Sequence, residues 1–248
     1  MWQEIGNAFC LLGTQGDGGR CILLTGSGKA FSAGIDTSDP TFFPSQKDDS
    51  DAARNALSFR PKIIGMQRCF TAVENCPVPV VAALVGPCIG AGVDLACCAD
   101  IRLCSPSTKF SIREVRLGLA PDVGTLQRLP KIVGHGSRVQ ELCLTGEDFD
   151  ATEAARIGFV SRISQTEDDL WPMAIDICKR IASNSPVAVA GTKSSLNYSR
   201  DHSVQEGLEH IASANSMALL TDDLVVSFTA MGSKNDPSFA NLRPHSRL

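Results

Sequence analysis

The stretch Val78-Pro79-Val80-Val81-Ala82-Ala83-Leu84-Val85-Gly86-Pro87-Cys88-Ile89-Gly90-Ala91-Gly92-Val93-Asp94-Leu95-Ala96-Cys97-Cys98 decides how the rest of the chain is read. Its opening is an apolar run of strand length, with Pro79 near the start, where a missing ladder donor is tolerated. Gly86 to Gly92 reads as a tight glycine turn, and Val93 to Cys98 as the short helix that the turn feeds. A strand this apolar belongs inside a sheet covered on both faces, which calls for parallel crossovers.

Outward from this core the same grammar repeats. Arg20-Cys21-Ile22-Leu23-Leu24-Thr25 is an apolar run closed by Gly26-Ser27-Gly28, a buried strand and its turn. Residues 38–60 are polar and read as a surface loop entering a helix. Ile63, Ile64, Met66, Gln67, Phe70 and Val73 carry helical spacing, closed at Cys76-Pro77. Ile101 to Cys104 and Lys109 to Ile112 read as two strands across a turn at Pro106. Beyond Thr125 the pattern is helical, with breaks expected at Gly134, Gly146, Gly158, Pro172 and Pro186 and one strand at Phe159–Ile163. The class is α/β with a helical C-terminal third.

Composition excludes several functions. The 248 residues are 43% hydrophobic and carry a net charge of −4, which is neither disordered nor the basic surplus of a nucleic-acid binder. Aromatics are only 6%, with a single tyrosine, so base-stacking platforms are not expected. The ten cysteines form no CxxC pair and sit mostly among apolar neighbours, a pattern of buried reduced thiols in a reducing compartment. The four histidines are scattered, so no metal site is expected. Val78 to Val93 is too short and too broken to span a bilayer. The C-terminal Ser246-Arg247-Leu248 is a conservative variant of the Ser-Lys-Leu peroxisomal address. Gly26-Ser27-Gly28-Lys29-Ala30 lacks the rest of a phosphate loop, and Leu95 stands where a dinucleotide fingerprint needs its third glycine.

Two segments of small residues remain, Phe31-Ser32-Ala33-Gly34-Ile35-Asp36 and Gly90-Ala91-Gly92. Small side chains leave backbone N–H groups approachable, and two such groups converging on one oxygen make an oxyanion hole. The other reading is two packed turns. Three carboxylates also sit in apolar text: Asp94, Glu114 and Asp122. Grouped, they raise one another's pKa, so that one holds a proton while another acts as base. Taken singly, Asp94 could cap backbone donors, Glu114 could pair with Arg113 or Arg116, and Asp122 could form an Asx turn after Pro121.

Taken together these residues resemble the crotonase (enoyl-CoA hydratase/isomerase) superfamily. The likeness runs through Gly28 to Asp36, Gly90 to Leu95, Ala99-Asp100-Ile101-Arg102, Glu114 to Pro130, Ser185-Pro186-Val187 and Tyr198 to Val204. The glycine turn followed by Glu114 marks the superfamily, and the Asp94, Glu114, Asp122 trio resembles its dienoyl-CoA isomerase branch. A hydratase carries Glu at position 94 and typically Gly at 122.

The resemblance implies a spiral of ββα turns over 1–185, as in crotonase and ClpP, and a helical oligomerisation region over 186–248, giving homotrimers or homohexamers. It implies isomerisation of 3,5-dienoyl-CoA to 2,4-dienoyl-CoA in fatty-acid β-oxidation. The backbone N–H groups of Ile35 and Ala91 would form the oxyanion hole. Glu114 would take a proton from carbon 2, Asp122 would deliver one to carbon 6, and Asp94 would position and tune them. Ser32, Ala33, Gly34, Asp36, Gly90, Phe228 and Lys234 would touch the acyl-CoA, with no cofactor beyond the substrate's own coenzyme A. Family members carry further N-terminal residues before the helix that Trp2 matches, so the first turn of the spiral is expected to be missing. Location is expected to be peroxisomal, with mitochondrial and cytoplasmic alternatives. The competing activities are 2-enoyl-CoA hydration, Δ3-Δ2-enoyl isomerisation, or a catalytically weak paralogue serving as an oligomer partner.

Overall fold

A computed structural model describes residues 1–14, 18–39 and 51–242. The C-terminal Ser246-Arg247-Leu248 lies outside the described residues, as does most of the polar stretch before the second helix. In chain order the elements begin α1 (Trp2–Thr14), β1 (Ile22–Thr25), α2 (Ala52–Asn75), β2 (Val80–Leu84), β3 (Pro87–Ile89), α3 (Ala91–Cys98), β4 (Ile101–Cys104) and β5 (Lys109–Ser111). A 3₁₀ turn at Glu114–Leu117 follows, then α4 (Thr125–Val133), α5 (Ser137–Thr145), β6 (Asp148–Asp150), α6 (Ala151–Arg156) and β7 (Arg162–Ile163). Four helices close the chain: α7 (Leu170–Ala182), α8 (Pro186–Ser199), α9 (Val204–Ala218) and α10 (Asp223–Ser233).

The strands divide between two sheets. One is parallel throughout, in the order β1-β2-β4-β7; the other is β3-β5-β6, with β3 and β5 parallel and β6 antiparallel to β5. The pairs β2–β3 and β4–β5 each give one strand to the first sheet and the next to the second before returning through helix, and β6 and β7 take the reverse order. Ser32, bridged in parallel to Cys88, begins the same pattern one turn earlier. This is the expected spiral, with three local corrections. Pro87–Ile89 is a strand rather than turn. β4 and β5 lie in different sheets and do not pair with each other. The last strand shrinks to Arg162–Ile163 because Phe159 is tied back to α6, its N–H donating to the Ala154 carbonyl at 2.8 Å, and buried against Phe110.

Alternation along β2 explains how the sheet is covered on both sides. Val80, Ala82 and Leu84 face α2 and α3, while Val81 and Ala83 pack with Leu103 against Leu170, Ala174 and Ile177 of α7. The second helix begins at Ala52, before the apolar spacing, because the Asp51 carboxylate caps the Arg54 N–H at 2.9 Å. Pro172 does not break α7; it lies in the first turn, where its missing donor has no intrahelical acceptor to lose. Six cysteines are buried as expected, but Cys21, Cys69 and Cys178 are half-buried and Cys10 is exposed; none of the ten is in a disulfide.

Helix α8 is fastened to the sheet by a charge. Lys193 Nζ meets Asp100 Oδ2 at 2.7 Å and donates to the Val78 carbonyl at 3.1 Å, while the same Asp100 oxygen accepts the Val80 N–H at 2.7 Å. Removing one partner of such a pair strands the other charge. Asp100→Ala is therefore expected to cost about 3 kcal/mol, a fall of roughly 8 °C in Tm for a domain of this size. A thermal melt within 1 or 2 degrees of wild type would contradict this.

Candidate active site

The site forms where the two glycine-rich segments meet. Ser32 N–H donates to the Pro87 carbonyl at 3.0 Å, and Ile89 N–H donates to the Ser32 carbonyl at 2.9 Å, so Ser32 to Ile35 runs beside the start of α3. Packing is tight: a Cβ added to Gly92 would stand 2.8 Å from Ser32 Cβ. Gly34 N–H turns back onto Ser32 Oγ at 3.2 Å. The N–H groups of Ile35 and Ala91 donate to no atom among the described residues. Ala91 opens α3, so its N–H also carries the positive end of the peptide dipoles.

Gly90 joins this pair of segments to the acids. Its φ is +53°, and a Cβ there would lie 3.1 Å from Glu114 Oε1. Both the backbone conformation and the carboxylate's approach require glycine. Glu114 sits at the first position of the 3₁₀ turn, and the arginines beside it are engaged elsewhere. Arg113 pairs with Asp148, and Arg116 donates to the Thr145 carbonyl at 3.3 Å. Its Oε2 is buried without a protein partner. Burial above all, then the neighbouring charges of Asp94 and Asp122, pushes its carboxyl up to about 7.

Asp94 is 1% exposed, on the first turn of α3. Its Oδ1 accepts the Thr125 N–H at 2.6 Å, so the capping role holds for one oxygen, and Oδ2 has no protein partner. Desolvation outweighs that hydrogen bond, and its pKa rises to about 6. Asp122 is different: exposed, on the turn before α4, with its carboxyl raised mainly by partial desolvation. Behind it lies a polar cleft of about 480 Å³, which Asp122 lines together with Gln67, Glu74, Arg128, Lys131 and Arg200.

The structure thus gathers Asp94, Glu114 and Asp122 into one electrostatically coupled group. Gly90 and Ala91 sit at its edge, and Ser32 to Ile35 runs alongside. Ala33 and Asp36 are exposed on that segment, the Asp36 carboxylate turned onto Ser38 Oγ at 2.6 Å. Phe228 and Lys234 are exposed on and just after α10. Sequence reasoning missed Gln67, whose Nε2 donates to the Asp122 carbonyl at 2.7 Å, and Arg128, which faces Asp94. Gln67 stands in the helical spacing of Ile63 to Val73 and Arg128 within the segment Glu114 to Pro130, and neither position carries a role by its sequence alone.

The arrangement can polarise a carbonyl, take a proton beside it, and return one farther along a chain. Comparison with known proteins bears on which reaction that is. The sequence profile described as enoyl-CoA hydratase/isomerase matches residues 1–241. The chain is 44% identical over 236 residues to the mitochondrial Delta(3,5)-Delta(2,4)-dienoyl-CoA isomerase of Mus musculus, covering 95% of this chain and 72% of that protein. It is 43% identical to the peroxisomal isomerase of the same name from Arabidopsis thaliana, covering 89% and 80% respectively. Among solved structures, an enoyl-CoA hydratase from Bacillus anthracis superimposes with a TM-score of 0.84 at 26% identity, covering 99% of this chain and 88% of that one.

Proposed function

The chain belongs to the enoyl-CoA hydratase/isomerase family, and from that premise we propose that it converts 3,5-dienoyl-CoA thioesters into their 2,4-dienoyl isomers in fatty-acid β-oxidation. The observation that carries the reading is the acid trio: a half-buried base candidate, Glu114, with its Oε2 out of reach of solvent, coupled to an exposed acid on a separate turn, Asp122. A hydratase needs its two acids around one water; a shift of two double bonds needs them at two ends of a conjugated chain.

The chemistry follows from the residues. The N–H groups of Ile35 and Ala91 receive the thioester oxygen and stabilise the charge that develops there. Glu114 takes the proton from carbon 2, and the electron pair spreads over a trienolate reaching carbon 6. Asp122 gives its proton to carbon 6, so one C–H bond breaks, one forms, and the double bonds move into conjugation with the carbonyl. Asp94 holds the Thr125 N–H, and through it the turn bearing Asp122. The site calls for no cofactor beyond the coenzyme A of the substrate.

Each forward turnover leaves Glu114 protonated and Asp122 ionised. Burial favours that same state for Glu114 at rest. The enzyme must therefore reset by exchanging protons with solvent, and the cleft behind Asp122 supports that route.

The remaining readings are coarser in their support. Exposed Leu220, Val225, Phe228 and Met231 on and around α9 and α10 support a homotrimer or homohexamer assembled through 186–248. The Ser246-Arg247-Leu248 terminus and the relatives' names support a peroxisome, with a mitochondrion as the alternative.

The test is a spectrophotometric assay with a 3,5-dienoyl-CoA, following the rise of conjugated 2,4-dienoyl absorbance. Because Glu114 must be ionised while Asp122 keeps its proton, kcat/KM should trace a bell against pH, rising about tenfold per pH unit in acid and falling again in alkali, with one limb near the Glu114 value of about 7. The limb reports the coupled trio rather than one residue. A profile with no limb near 7, or turnover only with 2-enoyl or 3-enoyl thioesters, would overturn the reading.

A further inference from the structure

Behind the acids lies a charged cluster that the chemistry above does not use. Glu74 of α2 accepts through Oε2 from Arg128 Nε at 2.9 Å and Nη2 at 2.8 Å, a forked pair with α4. Its Oε1 takes the Arg200 guanidinium just beyond α8, and its carbonyl accepts Asn197 Nδ2 at 3.2 Å. Arg128 Nη2 also donates to Thr71 Oγ1 at 3.0 Å. Glu74 and Arg128 are largely buried, at 16% and 13% side-chain exposure. Two guanidinium groups against one carboxylate leave one net positive charge under cover, more than a neutral clamp requires.

The cluster bears on the catalytic turn. Gly124 has φ +136°, and a Cβ there would stand 1.8 Å from Arg128 Nη1, so the guanidinium lies against the turn where only glycine fits. The same Nη1 points at the Val123 carbonyl at 3.5 Å. This turn carries the Asp122 carboxyl at one end and, at the other, the Thr125 N–H that holds Asp94.

We propose that Arg128, clamped by Glu74 and backed by Arg200, is a positioning residue that fixes the Asp122–Thr125 turn from behind and supplies the positive charge facing Asp94. The inference deepens the assignment of the acids above and rests on it for the rate, not for the charge. The other groups facing Asp94 are the carboxyls of Glu114 and Asp122, which disfavour its ionisation, and the thiols of Cys88, Cys97 and Cys98, which burial keeps neutral. Lys131, which lines the same cleft as Asp122, is paired with Asp201. Arg128 is thus a cation that acts on Asp94, adding to the Thr125 hydrogen bonds that hold its carboxyl lower than burial alone would leave it.

The signs are opposite for the two halves of the clamp. Arg128→Gln removes the surplus positive charge, so Asp94 should hold its proton to higher pH. Glu74→Gln adds to that surplus, so Asp94 should release its proton at lower pH. Arg128→Lys keeps the charge but not the fork, leaving the titration near wild type.

The experiment titrates the unliganded protein carrying ¹³C-labelled aspartate, with the Asp94 resonance assigned by its loss in Asp94→Asn, alongside kcat and KM for 3,5-dienoyl-CoA. Opposite titration shifts in Arg128→Gln and Glu74→Gln are expected. In both Arg128 variants kcat should fall on the order of tenfold with little change in KM. Should Arg128→Gln fail to fold, Arg200→Gln supplies the same loss of charge with a smaller upward shift. Shifts of one sign in both charge variants, or none, would overturn the proposal, as would an unchanged kcat in Arg128→Lys. A wild-type protein inert toward the dienoyl thioester would defeat the assigned activity, while the titration still decides the charge on its own.

Discussion

Replacing Glu114 by glutamine should reduce dienoyl isomerisation by about 10³-fold or more while making the folded protein more stable in mild alkali. The loss of rate follows from geometry. The carboxylate stands at Gly90, beside the free N–H of Ala91, with the arginines next to it engaged elsewhere. Glutamine keeps the shape and cannot accept the proton. The gain in stability follows from linkage. Glu114 is raised to about 7 in the fold, so between its unfolded value and that pH the native state binds more protons than the unfolded one. Stability therefore falls as pH rises through this window, and the cost is complete above it. A neutral amide removes that term, so the wild-type and variant stability curves should meet in acid and diverge as pH rises toward 8. Urea unfolding at pH 5 and pH 8 measures both ends. A variant equally active, or one less stable at pH 8 than wild type, would show that Glu114 is neither the base nor a strained buried acid.

Part of this was legible in the sequence because it depends on near neighbours. The apolar run over β2, the glycine turn and the lone Asp94 among Val93, Leu95 and Ala96 announce a covered strand, an approachable helix start and a buried acid. What stayed hidden depends on pairing across distance. Pro87-Cys88-Ile89 is too short, and too closely flanked by glycine, to declare itself a strand. It becomes one because Lys109–Ser111 and Ser32 lie beside it. Whether Glu114 is bridged by its own arginines is settled by Asp148 and by the Thr145 carbonyl, about thirty residues on, which draw both away. Glu74 carries no sequence signal, and Arg128 and Arg200 stand within segments of family likeness with no role attached. Their meeting behind one turn is a property of the spiral, and no local pattern signals it. Fractional burial misleads in the same way: Asp122 follows an apolar stretch, yet it faces a cleft open to solvent.

That openness makes Asp122→Asn the most discriminating substitution. Exchange of the carbon 2 proton with solvent should survive, since Ile35, Ala91 and Glu114 are untouched, while formation of the 2,4-dienoyl product should fall by about 10³-fold. In Glu114→Gln both activities should vanish together. The separation arises because the two acids meet water differently: Glu114 Oε2 is buried without a partner, whereas Asp122 lines the polar cleft and can refill its proton between turnovers. In D₂O the wild-type product should therefore carry deuterium at carbon 6, drawn from solvent rather than returned from carbon 2 of the same molecule. Proton NMR of the product and of recovered substrate reads both positions in one experiment. If Asp122→Asn still isomerises at the wild-type rate, the distal proton comes from elsewhere and the dienoyl assignment loses its acid. If instead the variant loses hydration of a 2-enoyl-CoA, Asp122 belongs to a water-holding pair and the hydratase reading takes its place.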